Sequence, residues 1–272
     1  LKRSFANFWR RNLGFARLAI VTNLEYRVNY LTDAILQPGI ATAIELTLWY
    51  AIFAKSGVTE LAGFGKESYL AYALWGAFVA RLTTSWMYEF RMIEDIEMGS
   101  VNSLLARPVS FFEYYTSQFM GYKLITTAIS LLVPLGACLA MRLPVHYERL
   151  PMMILLCLYY LLLVQTISFC IACLAFRLNK VGSFTMAKNL GLWLFSGELF
   201  PLDMLPQPWR DILIAIPFSN AVFVPVGYLT GRVGIETVLQ GFASITVGLA
   251  LTGLLGAYMW KSGLRIYSGT GA

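Results

Sequence analysis

Uncharged runs punctuate this chain at lengths that match a lipid bilayer. Leu150–Phe176 holds 27 residues without a charge, Thr237–Trp260 holds 24 and Leu124–Met141 holds 18. About 20 apolar residues suffice to cross the hydrocarbon core as a helix. Weaker runs extend the series: residues 33–53 contain Pro38 and Glu45, and residues 68–88 contain Arg81. The pattern predicts an all-α polytopic membrane protein, a single domain over residues 1–272. Its spans are expected at 33–53, 68–88, 113–141, 150–176, 181–197 and 237–260, making six transmembrane helices.

Between the last two spans the pattern changes. Gly182–Gly231 is mostly apolar but contains Glu198, Asp203, Pro201, Pro206, Pro208, Pro217 and Pro225. A continuous lipid-facing helix would bury those carboxylates and lose backbone hydrogen bonds at each proline. The chain must therefore turn within or at the edge of the membrane, as broken helices do where they line a cavity. Ile212–Gly231 is itself 20 uncharged residues, enough to imitate a seventh span, yet Pro217 and Pro225 cut it into pieces too short to cross. Residues 198–231 are accordingly expected to form an external re-entrant or surface-lying helical hairpin. Glu198 and Asp203 there can cap helix starts, bind a polar headgroup or gate a path; Trp193, Phe195, Phe200 and Trp209 suit an interfacial aromatic belt.

Near the N-terminus, Phe5, Trp9, Leu13, Ala16, Ile20 and Leu24 share one helical stripe flanked by Arg10 and Arg17. That spacing predicts a helix within residues 1–29 lying in the cytoplasmic headgroup layer. The chain opens on Leu1, so further residues can precede it, and no cleavable signal peptide is evident. A second polar segment occupies residues 90–108. Ile93, Ile96 and the stretch from Val101 to Leu105 give it apolar anchors, whereas Glu94, Asp95, Glu97 and Arg107 are expected to face water. Gly99 divides it into two short elements and Pro108 resets the chain before the next span. It is either a docking element or a plain loop.

Composition and charge sharpen the class. Hydrophobic residues make up 58% of 272 positions and charged residues 13%, about half the charge of a soluble domain. The formal charge of +6 then reports membrane orientation rather than nucleic-acid binding. With six spans, 13 Lys and Arg fall on the inside and 6 outside, which places both termini in the cytoplasm. Lys188, within the fifth span, is expected to snorkel inward. Glu45 and Arg81 are costly in lipid and should face protein, water or a cavity; they can pair with each other, contact a substrate or snorkel.

Recognisable catalytic chemistry is missing. A phosphate loop needs G-x-x-x-x-G-K-[ST], and the nearest fragment, Gly65–Lys66, is followed by Glu67. There is no H-E-x-x-H or G-x-S-x-G, and His146 is the single histidine. Cys138, Cys157, Cys170 and Cys173 lie within apolar runs, where packing is their expected role. The spacing Gly227-x-x-x-Gly231 can pack helices but sits in an already broken segment. Three function classes remain: a stand-alone channel or gradient-driven transporter, the membrane half of a machine energised by another protein, and a membrane anchor or assembly subunit.

Three strings narrow the choice: MGSVNSLLARPVSFFEYY over Met98–Tyr115, SGELFPLDMLPQPWRDILIAIPF over Ser196–Phe218, and GLRIYSGTG over Gly263–Gly271. With these the chain resembles the permeases of ABC-2-type ABC transporters, in particular the ABC-2 branch formerly classed as a domain of unknown function. The resemblance implies a non-catalytic half-transporter of a bacterial plasma membrane that pairs with a second copy or a related permease. Two cytosolic ATPase subunits would carry ATP and Mg2+, and membrane lipids, not nucleic acid, would surround the chain. It also implies that Ile93, Glu94, Asp95, Glu97, Gly99, Leu104, Arg107 and Pro108 belong to the coupling element. Glu198, Phe200, Pro201, Asp203, Pro206, Pro217 and Pro225 would belong to an external hairpin near the exit. No substrate follows, because the wider superfamily exports lipids, glycans, peptides and drugs.

Overall fold

Prolines and hydroxyl side chains decide where the helices of this protein break. A computed structural model describes residues 2–25, 28, 31–178 and 180–267. Helix α1 (Lys2–Glu25) is followed by a π-helical turn (Thr32–Leu36) and α2 (Gln37–Ser56). A two-residue antiparallel ribbon, β1 (Glu60–Leu61) and β2 (Phe64–Gly65), leads into α3 (Lys66–Thr83) and α4 (Trp86–Glu97). Then come α5 (Val101–Leu105), α6 (Phe111–Ser130), α7 (Leu132–Met141) and α8 (Leu150–Cys173). The chain ends with α9 (Gly182–Phe195), the short helices α10 (Trp209–Ala215) and α11 (Phe223–Leu229), and α12 (Ile235–Ile266).

Among the described residues, four helical stretches are long and apolar enough to cross a membrane: Ala34–Ser56, Phe111–Met141, Tyr147–Phe176 and Ile235–Ile266. The protein is thus a mostly helical, multi-pass membrane protein. Helices α3 and α9 fall short of that measure for different reasons. Helix α3 carries Lys66, Glu67 and Arg81 within 18 residues, and α9 has only 14 residues, about 21 Å at 1.5 Å per residue.

The π-turn has a local cause. Pro38 cannot donate to the carbonyl of Ala34 four residues back, so that buried carbonyl needs another donor, and Ser130 Oγ supplies it at 2.7 Å. Pro134 acts similarly on the expected third span, which is interrupted at Leu131 instead of running straight from 113 to 141. The expected second span also breaks, at Thr84–Ser85. There carbonyls of the last turns of α3 are taken up by side chains: Thr83 Oγ1 donates to Val79 at 3.0 Å, Thr84 Oγ1 to Arg81 at 3.0 Å, and Lys123 Nζ to Arg81 at 2.6 Å.

Helices α3 and α8 form the centre. Tyr69, Trp75 and Val79 of α3 and Met153, Tyr160 and Val164 of α8 are fully buried. Of the apolar window of α8, 61% is buried, against 17% for α12, so α12 packs on α8 with one face and turns the other outward. Helix α1 lies along α6 with the same chain direction. Arg11 pairs with Glu113 at 2.7 Å, Ser117 Oγ donates to Asn12 Oδ1 at 2.7 Å, and Gly121 meets the backbone of Ala16. A Cβ on Gly121 would stand 2.5 Å from the Ala16 oxygen, so only glycine admits this approach. Trp9, Leu13 and Val21 are exposed on the other side of α1, while the side chains of Phe5 and Leu24 lie outside the described residues.

Candidate functional site

The segment from 198 to 231 resolves into short pieces whose starts hold its prolines. Pro201 and Pro208 precede helical turns, Pro217 opens one, and Pro225 lies in the first turn of α11, positions where a missing N–H costs least. Pro206 is exposed and Phe200 half-buried, whereas α11 is buried almost throughout, packed against α3, α8 and α12. Helix α10, by contrast, exposes Trp209 and Ile212.

Where these pieces meet α3, a polar node forms. Tyr72 donates to the Gly197 carbonyl at 2.7 Å and Phe223 N–H to the Ser196 carbonyl at 2.8 Å. The turn between them depends on Gly197, which has φ +85° and whose Cβ would meet that of Phe223 at 2.7 Å. Arg232 has a side chain with 0% exposure, and it bonds Asp203 at 2.8 Å. Its guanidinium also lies 4.2 Å from the ring centres of Phe64 and Tyr69 and 5.3 Å from Tyr72. Counter-charge and aromatic faces together compensate a buried cation that water no longer solvates. Arg232 Nε and Nη2 and Asp203 Oδ1 have no hydrogen-bond partner among the described residues. Asp203 and Arg232 border a cavity of about 350 Å³ with Arg210, Asp211 and Gln240.

Of the sequence candidates, Glu45, Glu198 and Asp203 all act electrostatically on Tyr72, so the node gathers three of them. Glu45 feels the charge of Glu198. Arg81 lies nine residues beyond Tyr72 on α3, about 13 Å along the helix, and its carbonyl is the acceptor for Lys123. Glu198 lines a second cavity, of about 190 Å³, with Thr83, Thr84, Tyr160, Asn189, Trp193 and Ser196.

At the other end of the molecule, α4 and α5 meet at Gly99, φ +75°. The eight coupling candidates divide there by exposure. Ile93 and Leu104 are buried anchors, and Asp95 accepts a hydrogen bond from Tyr115. Glu94, Glu97, Arg107 and Pro108 are exposed, together with Met98 and Leu105. The Pro108 carbonyl accepts from Arg11 at 3.2 Å and the Gly99 carbonyl from Tyr267 at 3.3 Å.

Between the two ends lies a cluster that sequence reasoning missed. Lys188 of α9 pairs with Glu89 of α4, and Ser168 of α8 bonds both. Lys188 has a side chain 8% exposed and Glu89 one at 0%, so the expected inward snorkelling is corrected: a carboxylate on a packed neighbour holds the ammonium inside. No periodicity in the sequence marks Glu89, or links Arg232 to Asp203. The spacing Tyr69-x-x-Tyr72, which sets two rings on one helical face, was the available clue to the Arg232 node.

A family model described as ABC-2 family transporter protein matches residues 40–271. The chain belongs to the ABC-2 transporter family. Among curated proteins none matches it. Among the described residues no group of three His, Cys, Asp or Glu is placed to hold a metal ion. The four cysteines of this ABC-2 protein are buried free thiols.

Proposed function

We propose that this ABC-2 protein is the permease subunit of an ATP-driven exporter in a bacterial plasma membrane. In this reading two permeases enclose the path, with six spans each and both termini in the cytoplasm. Helix α1 borders the inner leaflet, residues 90–108 dock a separate ABC ATPase, and residues 198–231 close the external side. The partner ATPase holds ATP and Mg2+ and hydrolyses the nucleotide; this chain converts the partner's movement into a change in the path.

One observation carries the reading: the α4–α5 elbow has two faces. Ile93, Ile96, Val101 and Leu104 anchor it inward, while Glu94, Glu97, Met98, Leu105 and Arg107 stand exposed around its turn. An exposed apolar pair ringed by charge suits a docking contact, with charges selecting the partner and apolar surface holding it. Binding the two nucleotide states of that partner unequally would drive the cycle.

The test is charge reversal, Glu94→Lys with Glu97→Lys, followed by purification from the native membrane. The co-purified ATPase is expected to fall about tenfold, on the scale of losing one or two desolvated charge contacts. Unchanged complex yield, ATPase stimulation and export would refute the docking assignment.

A further inference from the structure

The 190 Å³ cavity beside Glu198 is lined by groups that call for one kind of ligand. Two of its hydroxyls have committed their protons: Thr83 Oγ1 donates to Val79 and Thr84 Oγ1 to Arg81, both at 3.0 Å, and Thr84 Oγ1 also accepts from Lys123 at 3.5 Å. What they turn toward other groups are lone pairs, which accept and do not donate. Tyr160, 0% exposed, also reaches this wall with a hydroxyl that has no partner among the described residues. Trp193, 45% exposed, adds an aromatic ring, the side chain that best receives a cation on its face.

The charge count points the same way. Glu198 is the one charged side chain on the cavity wall. Arg232 is committed to Asp203. Among the described residues neither Glu45 nor Glu198 has an ion-pair partner; no Lys or Arg lines the cavity, and Lys123 is held behind its wall, bonding the Arg81 carbonyl at 2.6 Å and Thr84 Oγ1 at 3.5 Å. A half-buried carboxylate without a partner carries part of the desolvation cost of a buried one, and an incoming cation offsets it.

We infer that this cavity binds the protonated amine of a small or amphiphilic molecule, with Glu198 as counter-ion, Trp193 against the charge, and Thr83 and Thr84 accepting its N–H groups. Acceptors at the wall favour an amine bearing N–H over a quaternary ammonium, which has nothing to donate. That the amine is cargo rests on the permease reading; that it binds does not.

The test is equilibrium binding of radiolabelled octylamine to the full chain in phosphatidylcholine nanodiscs, with empty nanodiscs subtracted. Saturable binding is expected, displaced by unlabelled octylamine and not by octanol. Glu198→Gln should weaken it at least about tenfold and Glu198→Asp much less. Thr84→Val, which keeps the shape and removes an acceptor, should weaken it several-fold and supplies the answer if Glu198→Gln does not fold. Absence of saturable binding, equal displacement by octanol, or wild-type affinity in the folded variants would overturn the inference. Binding by a chain that never recruits an ATPase would leave the site standing and refute only the transport reading.

Discussion

Replacing Lys188 by Met tests the buried ion pair directly. Methionine keeps much of the length of the lysine stem and removes the charge, leaving Glu89 buried with Ser168 as its remaining partner. Glu89 Oε1 already has no hydrogen-bond partner among the described residues. Removing one member of a buried pair typically costs about 3–5 kcal/mol. Replacing both members, with Glu89→Leu added, removes the stranded charge and should recover most of the loss. Equilibrium unfolding in mixed SDS–detergent micelles of the wild type, two single variants and the double variant gives the coupling energy. A Lys188→Met variant within about 0.5 kcal/mol of wild type would refute the pairing, because only a solvated lysine could be lost so cheaply. A double variant as unstable as the sum of the singles would refute it equally.

Two further outcomes follow from the packing. Arg232→Lys keeps the charge but loses the planar stacking between Phe64 and Tyr69, so it should lose about 1–2 kcal/mol in the same unfolding assay. Arg232→Met should lose more because it strands Asp203, and equal stability of the three proteins would contradict the node as described. Gly121→Leu forces side-chain atoms onto the Ala16 backbone and should push α1 off α6. Oxidative cross-linking between cysteines introduced by Asn12→Cys and Ser117→Cys should then fall at least about fivefold, overpacking of this kind costing about 1–3 kcal/mol; unchanged cross-linking would show that the approach is looser than it looks.

Much of the architecture is legible in residue pattern, because lipid penalises unpaired backbone so heavily that prolines and charges mark breaks. Pro217 and Pro225 dissolve an apparent seventh span into short helices, as their positions dictate. The break at Thr84–Ser85 is less visible, since it depends on hydroxyls and on Lys123 from a different helix reaching the freed carbonyls of α3. The candidate site is legible as residue types but not as partnerships. Glu45 and Glu198 stand out in apolar sequence, yet nothing in their spacing shows that they meet around Tyr72 rather than at Arg81. Arg232 looks like a loop charge beside Gly231. Its burial follows from the turn of α11 bringing it under Phe64 and Tyr69, a relation across about 165 residues of chain.

Helix α4 ties the proposed docking surface to this interior. Glu89 lies in its first turn and Glu97 at its last residue, eight residues apart or about 12 Å of unbroken helix. Lys188 holds the other side of the pair on α9, and eight residues onward is Ser196, whose carbonyl and hydroxyl fix the turn that carries Glu198. A load applied at Glu94 and Glu97 would therefore meet the Glu89–Lys188 pair before it reached the node around Tyr72 and Arg232. Rigid helices pass such a displacement on, or the pair gives way; a soft response is excluded by its burial. Stability alone cannot separate a structural bolt from a transmitting contact, but the double apolar variant can. If Glu89→Leu with Lys188→Met restores unfolding free energy and export together, the pair serves packing. If it restores stability while ATP hydrolysis runs without export, the charge pair itself transmits the movement.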